Sequence, residues 1–210
     1  MVCKKISFPK ILFVTGTDTG VGKTFVSAML ALGLKGGYWK PIQTGSDWDR
    51  NWVATHTGLP KKHFFPERHL LKKPLSPHLA AREEKTHIHL SDFVLPEFSS
   101  LPHLIIEGCG GVLVPINEDH FILDLIAKWN APVLVVARNT LGTINHTLLT
   151  LRQIQDKGLS VFGVILNGEK HTDHKPTVET FGGVPVLAEI EPVSNISSSV
   201  MEQIFFRSFC

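Results

Sequence analysis

The segment ILFVTGTDTGVGKT, Ile11 to Thr24, constrains this chain more than any other. An apolar, β-branched run leads into a glycine-rich turn, and the turn ends in Gly-Lys-Thr where a helix-like stretch, Thr24 to Leu34, begins. A strand feeding such a loop and a helix is the order required of a phosphate cradle. Successive backbone N–H groups wrap an anion, and the helix N-terminus adds a favourable dipole. Lys23 is placed to reach the β- and γ-phosphates of a nucleotide, and the Thr24 hydroxyl to hold Mg²⁺. The usual spacing is G-x-x-x-x-G-K-[ST]. Here Gly16 comes one residue early, Thr17 takes the first glycine's place, and Asp18 and Thr19 occupy the loop. Thr17, Asp18, Thr19, Gly20, Val21, Gly22, Lys23 and Thr24 are therefore the expected nucleotide cradle.

The rest of the chain repeats the strand–helix alternation. Apolar runs at Lys10–Val14, His103–Ile106, Pro132–Ala137, Ser160–Leu166 and Pro185–Leu187 read as strands, several of them apolar on both faces, as strands buried between two helix layers are. Thr24–Leu34, Asn51–Thr57, Ile122–Trp129 and Asn145–Asp156 read as helices, the last stopped by Lys157-Gly158. The expectation is an α/β fold of P-loop NTPase type, a mostly parallel sheet with helices on both faces. Its ligands should sit at the carboxyl ends of the strands. At 210 residues, residues 1–210 are expected to form one such domain. Gly45–Pro102, polar and rich in Pro and His, is expected to supply loops and short helices over one end of the sheet. The C-terminal MEQIFFRSF is expected to dock as an aromatic helix.

Composition removes several function classes. The chain is 43% hydrophobic and 19% charged with a net charge of +2, and its Lys and Arg are scattered, so no basic stripe marks a nucleic-acid surface. Cys3, Cys109 and Cys210 have neither metal-site nor disulfide spacing, which fits a reducing compartment. Lys4 and Lys5 precede only a short apolar stretch containing Pro9, and no apolar run approaches the ~20 residues of a membrane span. A cytoplasmic place is expected. His171-Thr-Asp-His174 is read as a solvated polar loop, not a metal site.

Three further segments end in polar residues at the close of apolar runs or turns: Tyr38–Gly45 (YWKPIQTG), Leu104–Gly111 (LIIEGCGG) and Ala137–His146 (ARNTLGTINH). Glu107, a carboxylate at the end of a buried strand, is a candidate Mg²⁺ ligand, directly or through water. The glycines after it allow a substrate close to the backbone. Lys40 is a candidate for stabilising a transferring phosphoryl group. Asp49 and Asp47 are both possible metal partners, and the residues alone do not choose between them.

Together GTDTGVGKT, KPIQTG, PLSPHLAA, EGCGG and LGTINHTLLT, in this order from Ile11 to about Glu191, resemble the dethiobiotin synthetase family. The resemblance implies an ATP-dependent ring closure in biotin synthesis. CO₂ and 7,8-diaminononanoate give a carbamate, ATP converts it to a carbamic–phosphoric anhydride, and the second amine closes the ureido ring. Carried over, Lys23, Lys40 and Thr19 would serve the reacting groups, and Thr24, Asp49 (preferred to Asp47) and Glu107 would hold Mg²⁺. Thr44, Gly110 and Gly111 would contact the diamine, and Asn167 would read the adenine. The family is homodimeric, so Leu141, Gly142 and Asn145 would reach the partner's site near the substrate carboxylate, with Asn145 also a candidate N-cap. Gly20 stands where some members carry an acid, and Cys109 where a small alanine is usual. The alternative class is a ParA/MinD-like ATPase switch. Against it, the loop lacks the additional early lysine of such proteins, with Thr17-Asp18-Thr19 in its place.

Overall fold

A computed structural model describes residues 6–46 and 48–210. The phosphate-loop unit forms as its sequence demands: β1 (Ile11–Gly16), the loop, then α1 (Lys23–Gly33). After it come β2 (Gly37–Trp39), β3 (Ile42–Thr44), α2 (Asp49–Thr57), β4 (Phe64–Phe65), β5 (His69–Leu71) and α3 (Pro77–Glu83). The chain then returns through β6 (Leu104–Gly111), α4 (Ile122–Trp129), β7 (Val133–Arg138), α5 (Thr143–Asp156), β8 (Val161–Asn167), α6 (His174–Gly182), β9 (Val186–Ile190) and α7 (Ser198–Phe209).

Seven strands form one sheet in the order β4-β2-β6-β1-β7-β8-β9, every neighbouring pair parallel, and β3 pairs with β5 in a small parallel sheet beside it. Alternate residues of the central strands enter opposite cores. Leu12, Val14, Ile105, Leu134 and Val136 pack with α1 and α7, whereas Phe13, Leu104, Ile106, Val133 and Val135 pack with α4, α5 and α6. Such two-sided burial is why these strands read as continuous apolar runs. The terminal helix docks as expected, its Phe205 and Phe209 rings lying 6.0 and 5.3 Å from Phe8.

The topology fixes where a ligand belongs. From β1 the chain skips a position to β2 and β4, returns to lay β6 between β2 and β1, and only then crosses to β7. The crevice at the carboxyl ends of β1 and β6 is therefore the switch point of the sheet, the place where open α/β sheets bind ligands. Gly16 and Gly111 lie side by side there.

Three expectations need correction. Helix α5 starts at Thr143, two residues earlier than Asn145, because Gly142 caps it with a positive φ of 93°. Asn145 is thus not the N-cap but an exposed residue of the first turn. The HTDH segment is not wholly solvated: His174 is buried, opens α6, and bonds through Nδ1 to Asn139 Oδ1 at 2.7 Å. The 45–102 stretch supplies short helices as expected, but it also supplies β4 to the sheet edge and β5 to the small sheet. Of the two acids left open, Asp47 lies outside the described residues, as does Cys3.

Candidate active site

The site is built on the middle of β6, the start of α1 and the turn after β2; the expected strand over His103–Ile106 in fact runs on to Gly111, so Glu107 lies within it. Strand β6 delivers Glu107, 1% exposed; α1 begins with Lys23, 6% exposed; and the turn after β2 carries Lys40, 7% exposed. A buried charge persists only when paired and hydrogen-bonded. Glu107 Oε1 accepts from Thr24 Oγ1 at 2.9 Å and from Lys40 Nζ at 3.3 Å, and Oε2 accepts from the Tyr38 hydroxyl at 2.9 Å. Lys40 also pairs with Asp49 at the start of α2. Lys23 Nζ donates to the Asp18 carbonyl at 2.9 Å.

These contacts set opposite protonation tendencies on the two lysines. Burial draws the Lys23 pKa below the ordinary lysine value, with Glu107 opposing the fall and Lys40 assisting it. For Lys40 burial also acts downward, but the Glu107 and Asp49 carboxylates more than offset it and hold the ammonium above its usual value. Burial, then Glu107, pushes the Tyr38 phenol well up, so it stays a hydrogen-bond donor.

The cluster opens into a cleft of about 640 Å³ lined by Thr19, Gly20, Gly22, Lys23, Thr24, Lys40, Gln43, Thr44, Asp49, Glu107, Cys109 and Gly110, with Pro74 to Ser76 and Val114 across from them. Most residues singled out in the sequence are therefore brought together. Thr17, Asp18 and Gly111 line an adjoining cavity of about 380 Å³ with His146 and Leu149 of α5, and Thr19 belongs to both. Val21 is buried beneath the loop. Asn167, ending β8, donates its amide to the Val21 carbonyl at 2.9 Å and so lies against the loop. At Gly22 (φ 96°) a Cβ would come within 2.2 Å of the Asn167 amide nitrogen, so only glycine lets the strand end approach. Leu141, Gly142 and Asn145 stay outside the cleft of their own chain, and all three are exposed.

The donors around Glu107 are hard oxygens, Thr24 Oγ1 and the Asp49 and Glu107 carboxylates. This set suits Mg²⁺, which takes one or two carboxylates and completes its shell with phosphate and water. No group of three His, Cys, Asp or Glu side chains able to hold a metal occurs among the described residues. Cys109 lies 3.9 Å from the Thr44 hydroxyl. Two contributors carry no signal in the sequence: Tyr38, whose hydroxyl holds Glu107, and Arg138, which closes β7 and donates to the Thr19 carbonyl at 2.9 Å.

Comparison with known proteins bears on the fold and the family. A family model described as an AAA domain matches residues 10–199. The ATP-dependent dethiobiotin synthetase BioD of Paramagnetospirillum magneticum is 46% identical over 190 residues, covering 90% of this chain and 92% of that protein. The enzymes of the same name from Afipia carboxidovorans and Lawsonia intracellularis are 41% and 42% identical, covering 94% and 91% of this chain and 95% and 93% of theirs. Among solved structures, a ParA family ATPase from Chlorobium tepidum gives a TM-score of 0.55 at 13% identity, covering 96% of this chain and 91% of that one. The MinC:MinD complex of Aquifex aeolicus gives 0.53 at 14%, covering 93% and 86%. At such identities the likeness to ParA and MinD is one of fold alone, and it shows the P-loop α/β sheet. Sequence identity along nearly the whole chain is the stronger relation, and by it the chain belongs to the ATP-dependent dethiobiotin synthetase family.

Proposed function

We infer that this chain is an ATP-dependent cyclo-ligase that forms the ureido ring of dethiobiotin from 7,8-diaminononanoate and CO₂, a step of biotin biosynthesis. The observation that carries the reading is the convergence of Lys23, Lys40, Thr24 and Glu107, paired and mostly buried, on one cleft beside the phosphate loop. A carbamate is a poor electrophile until one of its oxygens becomes a phosphate leaving group. The transfer needs little covalent chemistry from protein. It needs anions held in line and their charge neutralised.

In this reading residues 1–210 act as one P-loop unit, and residues 17–24 cradle the phosphates of ATP. Lys23 serves the β- and γ-phosphates, and Lys40, held cationic by its two carboxylates, faces the carbamate and the transferring phosphoryl group. Thr24, Asp49 and Glu107 hold Mg²⁺, which supplies charge neutralisation on the phosphates. Thr19 and Thr44 place hydroxyls along the cleft, Gly110 and Gly111 offer backbone to the diamine, and Asn167 contacts the base. The second amine attacks the activated carbonyl carbon, loses a proton and expels phosphate.

The same reading includes a homodimer in which Leu141, Gly142 and Asn145 complete the partner's site around the substrate carboxylate. Its support is exposed apolar surface: Leu149 and Leu113, 58% and 50% exposed, line the cavity beside the phosphate loop, and Leu141, just ahead of α5, is 101% exposed. The N-terminus of α5 adds an anion-favouring dipole to that surface. No helix of the described residues is long and apolar enough to cross a membrane. A cytoplasmic place is part of the proposal, supported by the unpaired Cys109 and Cys210.

Purified protein given MgATP, ¹³C-bicarbonate and 7,8-diaminononanoate should yield a labelled cyclic urea with equimolar ADP, read by mass spectrometry. ATP turnover that ignores the diamine and responds instead to DNA or lipid would overturn the ligase reading in favour of a ParA/MinD-like switch.

A further inference from the structure

Asp18 is an anomaly, an acid at the tip of a loop whose task is to bind anions. Left alone, its charge would repel the nucleotide that the loop serves. Arg138 answers it from another strand. It closes β7, which runs parallel to β1, and its Nη2 donates to the Thr19 carbonyl at 2.9 Å and lies 3.4 Å from Asp18 Oδ2. The other carboxylate oxygen of Asp18 accepts from the Thr19 amide at 2.7 Å. One guanidinium thus touches both the acid and the peptide next to it. A planar fork of donors does this readily, and a lysine ammonium does it poorly.

The second tie on the loop tip is Lys23, whose ammonium donates to the Asp18 carbonyl at 2.9 Å. That ammonium is the group a phosphate claims. When Lys23 serves phosphate, the hold on residues 18 and 19 passes to Arg138. Thr19 lines the cleft itself, so the register of its amide and hydroxyl depends on this hold.

We propose that Arg138 is a positioning residue of the reaction: it neutralises Asp18 and fixes the Asp18–Thr19 segment so that the loop accepts ATP. The inference rests on the nucleotide reading of this loop. It makes a charge-specific prediction that a purely structural arginine would not. Both side chains are half-exposed or more, so the effect must be sensitive to salt.

The test is the KM and Kd for ATP of Arg138→Ala, measured relative to wild type at low and high ionic strength. At low salt the variant should bind ATP about tenfold more weakly, the scale of one uncompensated charge in a partly screened cleft, with a smaller change in kcat. The ratio to wild type should shrink as salt rises. Asp18→Asn in the Arg138→Ala background should abolish the salt-dependent part of the deficit. Arg138→Gln, which keeps a donor for the Thr19 oxygen and removes the charge, carries the same test should the alanine variant unfold. Wild-type binding with an unaffected Arg138→Ala, or a deficit equal at both salts and untouched by Asp18→Asn, would overturn this inference alone. Wild-type protein that binds no ATP would overturn the nucleotide reading with it.

Discussion

The two sides of the proposed shared site are made on opposite principles. On the strand-end side, Lys23, Lys40 and Glu107 are almost wholly out of water and owe their stability to one another. On the α5 side, Leu141, Gly142 and Asn145 are exposed, and Leu141 touches almost nothing of its own chain. The first side is finished within one subunit, because unpaired charges could not remain buried there. The second is an apolar rim whose burial energy is not spent in folding the subunit and is therefore free for association.

The largest effect should come from the finished side. Lys40→Ala or Lys23→Ala should each lower ring closure by ~10²–10³, the usual loss of a donor aimed at developing charge. Each variant should still fold by circular dichroism, but Lys40→Ala should melt lower, since it leaves the buried Glu107 with only its Thr24 and Tyr38 donors. Near-normal turnover in either variant would remove that lysine from the chemistry. The unfinished side should behave the other way. Leu141→Asp should change subunit stability by no more than about 0.5 kcal/mol in denaturant titrations. It should nevertheless shift the protein to monomer in sedimentation and lower turnover about tenfold, a cost of ~1.4 kcal/mol. A stable dimer of full activity would show that the rim is not the interface.

A smaller effect tests whether burial behind the strand ends governs protonation there as well. Burial, aided by His171, holds the His174 imidazole below its ordinary pKa, so the folded chain binds fewer protons than the unfolded one. Its contribution to stability is full above the unfolded value of ~6.5 and is lost as pH falls through the folded value. The urea midpoint of wild type should therefore fall more steeply between pH 8 and pH 5 than that of His174→Gln. Parallel slopes would mean that His174 does not titrate as a buried group.

The finished side was also the legible one. The loop leading to Lys23 and the strand bearing Glu107 announce themselves because long apolar runs give way to polar residues, and the parallel sheet follows from runs apolar on both faces. β2 and β4, of three and two residues, are too short to show a period. The start of α5 does not show in the sequence because its cap is the backbone of a left-handed glycine, not a side chain. α6 was hidden because His174, Lys175 and Pro176 look like loop residues, whereas His174 is buried by pairing with Asn139 from β7's far end. Tyr38 and Arg138 find their partners 69 and about 120 positions away, and nothing local to either residue signals that. The choice of Asp49 over Asp47, the diamine contacts and the dimer come only with the family resemblance.

Subunit complementation tests the division of the site most directly. Lys40→Ala damages only the buried side and Asn145→Ala only the rim, so the first homodimer should be nearly inactive and the second should keep no less than about a tenth of wild-type turnover. In a mixed dimer one site carries both lesions and the other carries neither. Random exchange should then restore about a quarter of wild-type turnover, half the dimers having one intact site of two. A mixture no more active than its parents, with exchange verified by mass, would contradict a site shared between subunits.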